Sequence, residues 1–132
     1  MSTGIGMRAV LSTSFDEAIE KTTMALKAEG FGVLTRIDVH STLKEKINVD
    51  FRKYMILGAC SPPLARRALA ANADAGLLLP CNVTEQEEGG RMAVAAVNPD
   101  QMLGVLKEDP AVSAVAAEAK AKPERVITAL KA

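Results

Sequence analysis

A chain of 132 residues suits one domain built on one hydrophobic core, since domains cluster near ~100–150 residues. Its 16 basic and 16 acidic side chains cancel, so no net field draws in a phosphate backbone or an anionic membrane surface. Three Phe, one Tyr and no Trp leave no stacking platform of the kind single-strand binders use, and neither nucleic acid nor membrane is expected as a partner.

The segment from Met1 to Leu11 lacks a cationic stretch followed by a long apolar one, and Arg8 breaks its early hydrophobic run. No stretch approaches the ~18 consecutive apolar residues of a membrane span. The two cysteines, Cys60 and Cys81, are too few to serve as a disulfide framework in a chain with an ample core. Free thiols in a cytoplasmic protein are the expectation.

In chain order, Ile5, Met7, Ala9 and Leu11 alternate with Gly6, Arg8 and Val10 and predict a strand. Ser14 with Glu17 forms a capping box. Phe15, Ala18, Ile19, Thr22, Ala25 and Leu26 then follow at helical spacing as far as Gly30. Phe31 to Val39 reads as a strand, and Thr42 with Glu45 as the cap of a short helix through Ile47. Lys53 to Cys60 is again strand-like, and Ser61 is placed to cap a helix opening on Pro62 and Pro63 with Leu64, Ala65, Ala68 and Leu69 inward. Leu77 to Glu87, Gly89-Gly90 and Arg91 to Val97 predict a hairpin, because paired glycines tolerate the positive φ of a tight primed turn. Asn98-Pro99 starts a helix through Leu106, and Asp109-Pro110 starts a terminal helical segment, 110–132, that Pro123 should kink or split. The order predicts an α+β domain over residues 1–132, with a mixed, mainly antiparallel sheet and helices largely on one face.

Several blocks occur in a recognisable series: Gly30-Phe-Gly-Val-Leu, Tyr54-Met-Ile-Leu-Gly-Ala-Cys60-Ser-Pro62 and Gly76-Leu-Leu-Leu-Pro-Cys81-Asn82-Val83. On these blocks the chain resembles the family called domain of unknown function 302. The resemblance implies a sheet arrangement of the TATA-binding-protein-like kind and a homodimer, and it brings no agreed activity. Two departures stand out: Ser61 where the family often has Asn before the proline, and Pro123 within a helix that looks continuous elsewhere in the family.

Candidate chemistry centres on the two cysteines. Cys60 lies where a strand meets a helix, and the positive end of a helix dipole favours a thiolate there, aided if Arg66 and Arg67 turn towards it. The plainer reading is a small apolar filler, the commoner fate of free cysteine. Cys81 shares strand parity with Leu77, Leu79 and Val83, which points it at the core. Pro80, which cannot donate to a ladder, suggests an edge-like or bulged strand beside it, with Asn82 offering an amide. His40 reads as a solvated loop residue, and Glu85, Glu87 and Glu88 as a solvated strand end. Two cysteines and one histidine fall short of a zinc site, so no metal is assigned.

The leading expectation is a homodimeric small-ligand binding or sensing module bordered by Cys60, Ser61, Pro80, Cys81 and Asn82. The alternatives are a thiol or redox enzyme using Cys60 and Cys81, and a structural or protein-interaction domain.

Overall fold

The computed structural model describes residues 4–106 and 108–131. Positions 1–3, 107 and 132 lie outside the described residues, and with them the very start and end of the predicted domain and the last position of its terminal helix.

Five strands, β1 (Gly6–Leu11), β2 (Gly32–Asp38), β3 (Tyr54–Cys60), β4 (Cys81–Glu88) and β5 (Arg91–Val97), form one sheet in the order β1-β5-β4-β3-β2. Each pairing between neighbours is antiparallel. The helices are α1 (Phe15–Ala28), α2 (Val39–Ile47), α3 (Pro62–Ala71), the single turn α4 (Pro99–Met102) and α5 (Pro110–Lys131). The fold is α+β, as the pattern of elements predicts.

One face of the sheet carries the main core. Met7, Ala9, Leu11, Met55, Leu57, Ala59, Val83, Met92, Val94 and Ala96 alternate inward along their strands and meet Phe15, Ala18, Ile19 and Leu26 of α1 and Val126 and Ile127 of α5. The period of two on the strands and of 3.6 on the helices brings these residues to one layer. Two smaller clusters extend it: Leu64, Ala68, Ala75, Val115 and Ala119 between α3 and α5, and Leu103, Val112 and Ala116 under α5. The opposite sheet face carries a row in register across all five strands, Arg8, Ala95, Thr84, Ile56 and Ile37.

Local chemistry explains most boundaries. Ser14 accepts from the Glu17 backbone N–H at 3.1 Å and starts α1, while Gly30 at φ 84° allows the chain to leave it. Gly89 and Gly90, at φ 59° and 80°, make the hairpin turn between β4 and β5.

Other boundaries depart from the expectation. α2 begins at Val39, ahead of the predicted Thr42 cap, because the Asp38 carboxylate accepts from Ser41 N–H at 3.0 Å. His40 therefore sits on the first turn of a helix instead of in a loop. Its Nδ1 accepts from Tyr54 N–H at 3.0 Å and its ring lies edge-on to Phe15, so it ties α2 to β3 and α1. The strand predicted from Leu77 starts only at Cys81: Asn72 caps a 3₁₀ turn over Ala73–Leu77 by accepting from Asp74 N–H, and Leu77 is exposed. β4 is an interior strand, and the bulge lies in β2 between Val33 and Thr35; Pro80 precedes β4 and removes no ladder bond. Pro123 does not split α5, which runs unbroken through it. Glu85 is fully buried, not solvated, because it follows Cys81 and Val83 at even spacing and so shares their inward face.

Candidate functional site

The ends of β3 and β4 meet α3 at a single point. Ala59 pairs directly with Cys81, so Cys60 is the last residue of β3 beside the first residue of β4, and Ser61 follows at the head of α3. Around this point the three apolar clusters fail to close on one another. They leave a recess of about 280 Å³ walled by Phe31 and Ala59 of the main core, Leu64, Ala68, Val115 and Ala119 of the second cluster, and Leu103 of the third. Alanine at positions 59, 65, 68 and 119 lines it, and a larger side chain at any of them would take up part of the space. Leu34 and Leu69, both exposed, lie at its mouth.

Four of the five predicted site residues border this recess: Cys60, Ser61, Pro80 and Cys81. Asn82 does not. Alternation along β4 turns it away from Cys81, to the face of its partner Gly58, where it is exposed. Ser61 holds the N-cap position of α3 but makes no side-chain cap bond, and with Pro62 and Pro63 next the first turn offers few free N–H groups. Its buried hydroxyl faces the recess as one of its few polar groups. Pro80, joined to Leu79 by a cis bond, packs over Gly58: a Cβ there would strike Thr35 Oγ1 and come within 2.9 Å of Pro80 Cγ. Glycine is required for this close approach.

Burial, and then the neighbouring Cys60, push the Cys81 thiol up to about 11, so it stays protonated at neutral pH. Arg66 is exposed, and Arg67 is paired with Glu118 of α5 at 2.6 Å. Cys60 is one residue out of register with Cys81, whose direct partner is Ala59, yet both thiols border the recess and Cys60 lies near enough to act on the Cys81 thiol. Among the described residues no three His, Cys, Asp or Glu side chains gather as a metal-ligand set, and no helix is long and apolar enough to cross a membrane. The sequence reading missed the far wall. Phe31, Leu103, Val115 and Ala119 come from segments distant along the chain, and only their apolar character is visible locally.

The geometry defines a small α+β domain with an apolar, thiol-bordered recess at one end of an antiparallel sheet. The sequence profile described as domain of unknown function DUF302 matches residues 7–130, and the chain belongs to that family. The crystal structure of an uncharacterized conserved protein DUF302 from Bacillus stearothermophilus is similar to it. That chain is 31% identical, the match covers 96% of this chain and 98% of the other, and the TM-score is 0.87. A comparison with curated proteins finds no match.

Proposed function

We propose that the protein is a binding or sensing module for a small, neutral, largely apolar molecule held in the recess beside Cys60, Ser61, Pro80 and Cys81. The carrying observation is the lining: nearly all carbon, with the two cysteine thiols and the hydroxyls of Thr35 and Ser61 as its polar features. Such a surface favours a ligand that brings apolar area and few charges. An apolar cavity of roughly 150 Å³ admits benzene, so about 280 Å³ suits a ligand up to twice that size.

The thiol-enzyme alternative has less support. Its resolving partner, Cys81, would have to ionise to attack a mixed disulfide on Cys60, and burial keeps that thiol protonated until strongly alkaline solution. The reading keeps both cysteines as free thiols and the protein in a reducing cytoplasm. It also includes a homodimer. Ile37 and Val10, 50% and 58% exposed, lie on the sheet face opposite the main core, and apolar strand residues left in water favour a second apolar surface.

Binding of toluene and naphthalene, followed by amide chemical shifts, tests the ligand reading. The expected result is saturable shifts at Cys60, Ala65 and Ala119 that vanish in Ala65→Leu, where the added side chain occupies the recess. Unmoved amides at saturating probe would sink the reading.

A further inference from the structure

Beneath α1 lies a charged residue type that plays no part in the recess. Glu85 of β4 is fully buried, and neither carboxyl oxygen has a hydrogen-bond partner among the described residues. Its cross-strand neighbours are Met55 of β3 and Val94 of β5. The overlying face of α1 presents Phe15, Ala18, Ile19, Thr22 and Leu26, and α5 adds Val126 and Ile127 to the same core.

Thr22, also fully buried, is the polar group that faces the carboxyl; it lies near enough to favour the ionised form slightly, yet the two make no well-formed hydrogen bond. None of the inward residues carries charge. On α1, Asp16, Glu17, Glu20, Lys21 and Lys27 are exposed, as are Arg36 of β2, Lys53 ahead of β3, and Arg91 of β5. The nearby cations of α5 are engaged elsewhere, Arg125 with the Glu29 carboxylate and Lys122 with the Glu29 carbonyl. A carboxylate here would have neither water nor a counter-ion, so the acid is favoured neutral.

We propose that Glu85 is a proton-operated latch under α1: the helix is seated on the sheet while the carboxyl holds its proton, and loosens when the proton leaves. Burial pushes this carboxyl up to about 8, which puts the change at mildly alkaline pH. Thr22 supplies the single hydroxyl that can donate to the ionised form. The latch bears on the rest of the molecule through Phe31, which follows α1, receives its backbone support from the Leu26 carbonyl at 2.9 Å, and forms a wall of the recess.

Amide hydrogen exchange of α1 between pH 6 and pH 9, corrected for intrinsic exchange, tests the proposal on the intact protein. Wild-type protection of α1 should fall by about tenfold per pH unit up to about pH 8 and then level, as expected for one group that ionises on opening. Glu85→Gln should abolish the slope. Equal slopes in the two proteins, or none in the wild type, would overturn the latch. If Glu85→Gln does not fold, the carboxyl carbon-13 resonance of Glu85 in the wild type decides: a midpoint near pH 8, raised further in Thr22→Val, supports the proposal, and a midpoint near the ordinary 4.5 defeats it. No ligand enters either measurement, so the latch stands or falls separately from the binding reading.

Discussion

The Cys81 thiol and the Glu85 carboxyl stand four residues apart on β4, and the same cause acts on both: an inward-facing strand position withdraws them from water. For Cys81 the expected outcome is slow alkylation by iodoacetamide at pH 7, slower than a free cysteine, with the rate still rising towards pH 11. A rate at pH 7 above that of free cysteine would contradict its protonated state. For Glu85 the sign follows from a folded value of about 8 above the ordinary 4.5. The folded protein holds the proton more tightly than the unfolded chain. This contribution to stability is therefore complete below pH 4.5 and declines as pH rises towards 8, by about 1.4 kcal/mol per unit at most. Urea midpoints of the wild type and Glu85→Gln measured at pH 5, 6.5 and 8 check it: the variant should gain on the wild type at each step. Even spacing from Cys81 and Val83 announces an inward Glu85 in the sequence itself. Three acidic residues close to a glycine turn pull the reading towards solvent instead, and composition outweighs parity unless the strand's start is known.

At the scale of elements, the contact of Pro80 with Gly58 joins β3 to the loop before β4 and shapes the recess from below. Gly58→Ala should destabilise by about 1–3 kcal/mol through overpacking against Thr35 and Pro80, read as a shifted urea midpoint with an unchanged slope. Ser14→Ala, which removes the cap bond to Glu17 N–H, should cost about 1 kcal/mol and leave the recess intact. Elements with a local cause were legible: α1 from its capping box, the β4–β5 hairpin from Gly89-Gly90, and α3 from Pro62-Pro63. Elements settled by competition between neighbouring signals were not. Asp38 captures the start of α2 before Thr42 can, and the Asn72 cap turns Leu77 out of the strand its apolar run suggests.

At the scale of the whole molecule, one sheet face is covered by α1 and α5 while the other carries Ile56 and Ile37 in register and Val10 in the adjoining row. If that face joins two copies, light scattering should give twice the chain mass, and Ile37→Lys should give the monomer with its urea midpoint little changed. A wild-type monomer at tens of micromolar would reject the dimer. Leu57→Ala, at the centre of the covered face and fully buried, should cost about 2–5 kcal/mol and shows what the core contributes by comparison.

The sequence alone determined what depends on near neighbours: the α+β class, the caps and turns that bound α1, α3 and the hairpin, and the strand-to-helix junction at Cys60. These follow because hydrophobic period and backbone preference act over a few residues. The tertiary structure decided which strand lies inside the sheet, that Glu85 lies under α1, and that a cavity remains where Phe31, Leu103, Val115 and Ala119 converge. Each depends on residues far apart in the chain, whose meeting is set by how the layers pack and by where alanine leaves them unable to close.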